Sequence, residues 1–381
     1  MTTKKQNIAV IAVFLCMVFG MTIWTMVTPS REFSERENRA LAQMPEPSVE
    51  SCFSGKFEKD FETYLTDQFP MRDGWISAKT AIEKATFKTE SKDIYFADDD
   101  YLIEAHSKSF TAPSANANIG YLKNFMETCV ETYGKDHATA MVVPNAVDIL
   151  RDHLPKYASP YDEEVYLQKV ADAMPEGTWF DSGSVLREHK NIQLYYRTDH
   201  HWTSLGAFYG ANALLEVLGR ESLKQESFTP EIASTSFNGT LYSQSGIHWL
   251  TPDTMEFWVK EDGLMVTSWR TGSPEPGILY DRSYLTEKDK YASFLGGNQP
   301  LCVIQNENAR DGGKLLLIRD SYSDALAPFL AQSFAEVHLL DPRYYRMPPA
   351  QYAAENGIDA ICVVYSIPNF ITDRNLVFLA Q

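Results

Sequence analysis

The longest uninterrupted hydrophobic pattern of the chain lies near its N-terminus. Residues 8–27 read IAVIAVFLCMVFGMTIWTMV and contain no charge. As a helix they span a hydrocarbon core of about 30 Å. Lys4 and Lys5 precede the run and Trp24 lies near its end, which predicts a membrane anchor with the body outside the cytoplasm. A cleaved signal peptide is the alternative, although no small-x-small cleavage site stands before Arg31.

Polar and amphipathic patterns follow this anchor. The next stretch is rich in Pro, Ser and Glu, which predicts a stalk. Residues 57–65 and 72–87 then place apolar side chains at helical spacing. Two short strands, residues 94–96 and 101–103, join at an acidic turn. We therefore expect a cytoplasmic tail, an anchor, a stalk, and a helical and hairpin segment, at residues 1–7, 8–27, 28–56 and 57–111.

From residue 112 onward, predicted helices and strands alternate. Apolar runs without alternation predict four buried strands: Ala138–Val143, Lys314–Ile318, Glu336–Leu340 and Ala360–Tyr365. Shorter strands are predicted at Thr178–Asp181 and Ile192–Tyr196. The pattern predicts an α/β domain over residues 112–381, with a parallel sheet covered by helices on both faces. Residues 228–300 hold short strand-like pieces between Gly, Pro and Ser, which predicts an insertion.

Composition and cysteine spacing narrow the possible functions. The 381 residues include 34 basic and 51 acidic side chains, a net charge of −17. This balance argues against nucleic-acid binding, which needs clustered Lys and Arg. The five cysteines form no CxxC pair, which argues against zinc clusters and thioredoxin-type sites. Cys302 and Cys362 lie in apolar runs and are predicted to be buried thiols, with a disulfide as the alternative.

The first candidate locus for chemistry follows the strand predicted at Ile192–Tyr196. In extended backbone Asp199 and His201 point the same way and can lie side by side. A carboxylate on one ring nitrogen fixes the tautomer and leaves the other nitrogen free as a base. A helix cap or a packed polar cluster is the structural alternative. A metal site that includes His200 is another, but three adjacent residues converge poorly on one ion, and no HExxH pattern is present.

The second locus, Leu317–Ser323, is a hydrophobic strand, a sharp polar turn and the start of a helix. This order exposes a serine hydroxyl above the sheet edge and directs backbone N–H groups at an oxyanion. A nucleophile elbow has this layout, although GxSxG is absent. Helix capping is the alternative. Because sites form at the carboxyl ends of parallel strands, we expect Ser321 to meet Asp199 and His201.

Both loci resemble parts of a known family. Thr198–Trp202 resembles the signature for which the bacterial DHHW family is named. Other segments look like blocks of the same family: Glu37–Arg39 with Pro45 and Pro47, Asp67–Arg72, Phe237–Ser243, Phe294–Asn298, Arg319–Ser323 with Pro328 and Phe329, and Asp341–Tyr345. The resemblance therefore runs from about residue 35 to the C-terminus.

This family is similar in turn to the SGNH-hydrolase-like domains of AlgX- and AlgJ-type alginate O-acetyltransferases. Those domains carry Asp-x-His-Trp before Ser-Tyr-Ser. The similarity implies an SGNH-like fold and acetyl transfer to, or removal from, a cell-surface polysaccharide, with a membrane-bound acyltransferase as a possible acyl donor. It implies Ser321 as nucleophile, His201 as base and Asp199 as the orienting carboxylate. Arg319 departs from the glycine of ordinary GDS esterases and is expected to narrow the oxyanion side.

Further side chains are candidates for contacts with the substrate or the oxyanion. They are His200, Trp202, Arg319, Asp320, Tyr322, Asn145 and Asn298, and the backbone N–H groups of Ser321 and Tyr322 are expected to contribute to the oxyanion hole. We expect neither a metal nor a cofactor.

The leading hypothesis is a single-pass, membrane-anchored extracytoplasmic acyltransferase or esterase with a Ser-His-Asp triad. A non-catalytic glycan-binding or cell-envelope assembly protein is the alternative. It would be favoured if Ser321 and His201 were held apart and Arg319 filled the cleft. A metal-dependent hydrolase using Asp199 and a histidine is a third hypothesis.

Overall fold

The described chain forms two compact units. The structure is a computed structural model that describes residues 2–380. Met1 and Gln381, at the ends of the predicted tail and α/β domain, lie outside the described residues. The first unit contains the chain up to Lys88 together with Ser243–Trp249. The second contains Thr89–Tyr242 together with the chain from Leu250 onward.

The first unit is helical apart from one short hairpin. Its elements are α1 (Thr2–Val27), β1 (Phe33–Ser34), β2 (Arg39–Ala40), α2 (Val49–Phe53), α3 (Lys56–Asp67) and α4 (Arg72–Ala85). Helix α1 contains the predicted apolar run and is long and apolar enough to cross a membrane. Buried Asp67 fixes the hairpin to α3, since its carboxylate accepts hydrogen bonds from the Arg39 guanidinium and from the N–H of Ala42.

The second unit carries most of the secondary structure. Its elements in chain order are β3 (Glu90–Ser91), β4 (Ile94–Phe96), β5 (Leu102–Glu104), α5 (Pro113–Tyr133), β6 (Ala138–Val143), α6 (Ala146–Ile149), α7 (Glu163–Ala173), α8 (Ser182–Glu188), α9 (Ser204–Val217), β7 (Thr229–Phe237), α10 (Thr240–Ser245), β8 (Asp253–Val259), β9 (Leu264–Ser268), β10 (Glu275–Pro276), β11 (Leu301–Asn306), β12 (Lys314–Arg319), α11 (Tyr322–Leu330), β13 (Glu336–Leu340), α12 (Pro349–Asn356), β14 (Ala360–Ser366) and α13 (Ile367–Thr372). Helix α10 ends beyond the unit boundary at Tyr242.

A seven-stranded sheet organises this unit. Its order is β10-β9-β11-β13-β12-β14-β6. Strands β13, β12, β14 and β6, which are the four predicted buried strands, run parallel. Strands β11, β9 and β10 add to them antiparallel. The sheet is therefore mixed rather than parallel, because β11 and two strands of the segment predicted to be an insertion, β9 and β10, extend it beyond β13.

Helices cover both faces of the sheet, as the sequence predicts. Successive strand residues point to opposite faces. Leu315 and Leu317 accordingly lie in one hydrophobic cluster, which includes Phe208 of α9 and Phe329 of α11. Residues Leu316 and Ile318 lie in the other, with side chains of α5, α7 and α13. Cys302 and Cys362 are buried free thiols in strands β11 and β14.

Two of the shorter predicted strands are absent. In Ile192–Tyr196 only Tyr195 makes a bridge, antiparallel to Trp202, and in Thr178–Asp181 only Trp179 bridges to Ala140. The apolar side chains that suggested a strand at Leu194–Tyr196 are buried in a core cluster instead of extending the sheet.

Candidate active site

The side chain of Asp320 fixes the turn that carries Ser321. Strand β12 ends at Arg319 and helix α11 begins at Tyr322, so Asp320 and Ser321 form the turn between the sheet and the helix. Asp320 is fully buried, and its Oδ1 accepts a hydrogen bond from the N–H of Tyr322 at 3.0 Å. Its Oδ2 accepts from the hydroxyl of Ser366 at 2.6 Å and from the Asn369 amide at 2.9 Å. The turn is therefore tied to the neighbouring strand β14.

The loop before α9 is held in the same way by Asp253. This buried carboxylate begins β8 and accepts hydrogen bonds from the N–H of Arg197 at 3.0 Å and from the N–H of Thr198 at 2.8 Å. The hydroxyl of Thr198 also donates to it, at 2.7 Å. Asp199, the next residue, is consequently fixed in position.

Asp199, His201 and Ser321 form a continuous hydrogen-bonded chain. Asp199 Oδ1 accepts from His201 Nδ1 at 2.6 Å, and Asp199 Oδ2 accepts from the N–H of Thr240 at 2.7 Å. His201 Nε2 lies 2.8 Å from Ser321 Oγ, across 120 residues of sequence. With Nδ1 protonated toward Asp199, Nε2 accepts the hydroxyl proton of Ser321; this tautomer follows from the hydrogen-bond network. The arrangement can transfer a proton from the serine to the imidazole.

The pKa shifts of Asp199 and His201 leave the imidazole neutral near pH 7, as a general base requires. Burial raises the pKa of Asp199, but His200, His201 and the hydrogen bonds outweigh burial, so this pKa lies well below its usual range. Burial lowers the pKa of His201 to about 4, with help from His200 and against the effect of Asp199. The pair is therefore a carboxylate beside a neutral imidazole.

Aromatic side chains fix the imidazole ring. Tyr291 stacks on His201 with ring centroids 3.7 Å apart and planes 9° from parallel. Trp202 is fully buried, and its Nε1–H donates to the backbone oxygen of Tyr322 at 2.9 Å. The Tyr322 hydroxyl donates back to the backbone oxygen of His200. These contacts join the histidine loop to the serine turn.

A polar cleft of about 450 Å³ opens onto this chain of residues. Its lining residues are Asp199, His200, His201, Thr240, Tyr284, Asp289, Tyr291, Ala292, Gly296, Gly297, Asn298, Ser321, Asp324, Arg343 and Asn369. Arg343 donates to Asp341 at 2.7 Å and to Asn298 Oδ1 at 3.1 Å. A polar cleft of this size has room for a sugar ring and for hydrogen bonds to its hydroxyl groups.

A metal ion would compete with the hydrogen-bonded chain. Asp199, His200 and His201 offer ligand atoms within 4.8 Å of one another. Both ring nitrogens of His201 are already engaged, one with Asp199 and the other with Ser321. A metal ion bound by His201 would have to displace one of these contacts.

Comparisons with known proteins identify the family. A family model described as "DHHW protein" matches residues 96–340, more than half of the chain. The chain belongs to the DHHW family. This DHHW-family chain is 24% identical, over 244 residues, to a protein named "Probable alginate O-acetylase AlgJ" from Pseudomonas putida. The match covers 61% of this chain and 60% of that relative, so it spans less than two thirds of the relative's length.

Two solved structures share the fold. A DHHW family protein from Eubacterium siraeum has a TM-score of 0.59 and 22% identity, over 76% of this chain and 95% of that one. Bacillus cereus PatB1, solved with a sulfonyl adduct, has a TM-score of 0.61 and 21% identity, over 75% of this chain and 99% of that one. The DHHW-family chain thus has the mixed α/β fold of these proteins.

The residues predicted to contact substrate or oxyanion divide into two groups. His200 and Asn298 line the cleft. The others lie outside its lining: Trp202, Arg319, Asp320 and Tyr322 are buried behind it, and Asn145 caps α6, where its Oδ1 accepts from the N–H of Ala146. The N–H of Tyr322, predicted as an oxyanion donor, already donates a hydrogen bond to Asp320 Oδ1.

Arg319 is turned into the protein and does not fill the cleft. Its side chain is fully buried, and Nη1 lies 2.7 Å from Asp324 Oδ1. Within the described residues, its Nε and Nη2 atoms have no hydrogen-bond partner. In this DHHW-family chain, the arginine that stands in place of the glycine of ordinary GDS esterases therefore puts a buried positive charge beside the turn that carries Ser321.

Several cleft residues were missed from the sequence. Arg343 follows β13 and Asn369 follows β14, so the strand-end rule that selected Ser321 would also have selected them. Thr240 and Tyr291 lie in the segment predicted to be an insertion. Thr240 belongs to the family-like block Phe237–Ser243, but hydrophobic periodicity connects neither residue with the histidine.

Proposed function

We propose that this protein is a membrane-anchored extracytoplasmic O-acetyltransferase or acetyl esterase that acts on a cell-surface glycan. The observation that carries the proposal is the hydrogen-bonded chain from Asp199 through His201 to Ser321 at a cleft. The relationship to a protein named as a probable alginate O-acetylase supports acetyl chemistry. An SGNH-like arrangement of the parallel strands β13-β12-β14-β6 is part of the proposal.

In the first step, Ser321 Oγ attacks the carbonyl carbon of the acetyl donor. His201 Nε2 takes the hydroxyl proton, and Asp199 stabilises the imidazolium that forms. The donor's leaving group departs with that proton, and the acetyl group remains as an ester on Ser321. In the second step, a sugar hydroxyl or water attacks this ester, His201 takes its proton, and Ser321 regains one as it leaves.

The negative oxygen of each tetrahedral intermediate needs hydrogen-bond donors. We propose the N–H of Ser321 as one of them, since it has no acceptor within the described chain. Asn298 is the second, because its Oδ1 accepts from Arg343 and leaves the amide Nδ2 as a donor at the cleft.

The remaining parts of the proposal concern the cell. Helix α1 anchors the protein in the membrane, residues 28–56 form the stalk, and a membrane-bound acyltransferase supplies the acetyl group. Residues 57–111 and 112–381 remain the proposed helical segment and SGNH-like domain. The non-catalytic alternative lacks a specific observation in its favour, because Ser321 and His201 lie 2.8 Å apart and Arg319 is buried.

Reaction with an aryl sulfonyl fluoride tests the nucleophile without knowledge of the substrate. The serine oxygen displaces fluoride from sulfur, and His201 takes the proton. We expect the full-length protein to gain one sulfonyl group, located at Ser321 by peptide mass, and to hydrolyse 4-nitrophenyl acetate. Ser321→Ala is expected to abolish labelling and to lower turnover by about 10³-fold or more.

Ser323→Ala is the matched control. Ser323 lies in the same turn and is buried, and its hydroxyl has no hydrogen-bond partner within the described residues. Labelling and turnover are expected to survive this change. Loss of activity in Ser323→Ala but not in Ser321→Ala, or labelling elsewhere at the same rate, would contradict the proposed nucleophile.

A further inference from the structure

Helix α4 carries an apolar stripe that nothing in the described chain covers. Met71 and Trp75 at its start and Ile82 near its end are 66%, 56% and 64% exposed. Exposed Ala78 and Ala85 complete the row at spacings of four and three residues. At 3.6 residues per turn these positions share one face. Exposed apolar patches of this kind mark interaction surfaces.

A second apolar surface lies between α1 and α3. A groove of about 390 Å³ is lined by Met21, Thr22, Thr25 and Met26 of α1 and by Glu62, Leu65, Thr66 and the following Phe69 from the side of α3. The α1 residues belong to the last two turns of the apolar run. If α1 spans a bilayer, Leu65 and Phe69 lie at the depth of its outer leaflet.

The chain that leaves α1 is fixed to the end of α3 and to the start of α4 after only four residues. Helix α1 ends at Val27, and the backbone of Arg31 exchanges two hydrogen bonds of 2.8 Å with the Gln68 side chain. The Arg31 guanidinium also pairs with Asp73 in the first turn of α4, at 3.1 Å. Four residues of chain reach at most about 14 Å. The start of α4 is thus held close to the end of α1.

We infer that α3 and α4 seat the first unit on the lipid surface, with the stripe of α4 and the groove beside α1 in contact with acyl chains. This inference rests on the proposed membrane anchoring of α1. An amphipathic helix whose apolar face meets a bilayer lies in the plane of the interface. Trp75, at the start of the stripe, has the side chain that such an interface favours.

The lipid is favoured over a protein partner because α1 itself lines the groove and the Arg31–Asp73 pair holds the start of α4 near the end of α1. A second copy of the chain would cover the stripe of α4, but it would not account for the apolar groove along the last turns of the membrane helix. The stripe, Leu65 and Phe69 all lie within one unit whose anchor enters the bilayer.

Spin labels on the full-length protein in phosphatidylcholine nanodiscs test the inference. In a Cys16→Ser/Cys52→Ser background the remaining cysteines are buried, so a nitroxide can be placed at Ile82→Cys or Trp75→Cys. Lys84→Cys is the matched control, because Lys84 is exposed on the same helix about 200° around from Ile82. Native Cys16, in a Cys52→Ser background, reports on α1.

Collision with oxygen, which partitions into lipid, is compared with collision with a water-soluble nickel chelate. We expect the oxygen-to-nickel ratio at Ile82 and Trp75 to be several-fold higher than at Lys84 and to approach that at Cys16. Equal ratios at Ile82 and Lys84, with Cys16 still shielded from nickel, would overturn the seating and leave the anchor intact. Access of neither quencher to Ile82 would indicate a second copy and also overturn it. Free access of nickel to Cys16 would remove the anchor and the inference together.

Discussion

His201 shows at the scale of one residue how opposing effects set a catalytic pKa. Its neighbour Asp199 favours the charged imidazolium, whereas burial and His200 favour the neutral ring. The sequence indicates both effects but not their balance, because the balance depends on how completely the fold excludes water. Stacking on Tyr291 and the packing of the loop bury the ring, and burial prevails.

The pH dependence of Ser321 labelling follows from this pKa. Only neutral His201 accepts the serine proton, and its pKa is lowered to about 4. Reactivity with the sulfonyl fluoride should therefore stay level near neutrality and fall as the pH drops through about 4. The measurement is the second-order labelling rate between pH 3.5 and 8, with folding monitored by near-UV circular dichroism. A rising limb centred near pH 7, as expected for an exposed His–Asp pair, would contradict the burial argument.

Gly239 supports the same carboxylate. A Cβ atom at this position would collide with the Asp199 side chain, whereas a Cβ at Gly120, inside α5, meets nothing within 4 Å. We expect Gly239→Ala to displace the carboxylate and to lower turnover by about 10²-fold, in line with the effect of small misplacements at a reacting centre. Gly120→Ala is the control and should keep full activity and gain up to about 1 kcal/mol of stability. Equal turnover in the two variants would count against a role for Asp199.

Residues that follow apolar runs are the ones that sequence reasoning can select. Ser321 and Asp199 were found because each follows an apolar run. The sequence makes Trp202 a candidate for contact with the substrate, but its ring is buried and its Nε1–H donates to the backbone oxygen of Tyr322. Tyr291 went unnoticed because only the tertiary fold brings it to His201. The sequence reveals which residue types are available, and the packing decides which of them face the cleft.

At the scale of elements, the sequence likewise predicts which segments form strands but not how the sheet orders them. Non-alternating apolar runs predict β6, β12, β13 and β14 and their parallel pairing. They do not predict that β12 lies between β13 and β14, since spatial order depends on the crossovers. Strand β9, in the segment predicted to be an insertion, pairs with β11 and so belongs to the main sheet.

Arg319, at the end of β12, forms a buried ion pair that contributes to the stability of the folded protein. Its guanidinium is 2.7 Å from Asp324 Oδ1, and both groups are buried. Arg319→Met leaves the Asp324 carboxylate without its charge partner, and loss of one partner of a buried pair costs about 3–5 kcal/mol. We expect that loss in the free energy of urea unfolding at pH 8. Arg319→Met/Asp324→Asn, which removes both charges, should recover much of it.

The pH dependence of that loss gives a further check. Burial raises the pKa of Asp324 to about 7, even though Arg319 opposes the shift. Without Arg319 the folded state binds this proton more tightly still, while the unfolded carboxyl keeps its usual pKa. Both proteins should lose stability as pH rises from about 4, but wild type should level off above about pH 7, where Asp324 ionises, whereas Arg319→Met should continue to lose stability. The difference between them should therefore be smaller at pH 5 than at pH 8. A difference that does not change with pH would mean that packing, not the buried charge, causes the loss.

At the scale of the whole molecule, the distribution of charge and apolar residues supports the proposed topology. Only Lys4, Lys5 and Arg31 are charged within residues 1–31, although the chain as a whole has a net charge of −17. The basic residues before α1 favour a cytoplasmic N-terminus, and the proposed anchor would then place the acidic body outside. A glycan-modifying site on that body would meet its polymer outside the membrane.

Retention of the anchor is the prediction that distinguishes this topology from secretion. Because residues 8–27 form an apolar run longer than a signal peptide requires, we expect the mature protein to keep them. The chain should remain in the membrane fraction after an alkaline carbonate wash, and peptide mass mapping should recover sequence before Arg31. A version in which a cleavable signal peptide replaces residues 1–27 should appear in the soluble fraction and still label at Ser321. A mature N-terminus near residue 30 in the wild-type protein would show that the apolar segment is a cleaved signal peptide. The body would then be secreted, and the cleft would have to reach its glycan without being held at the membrane.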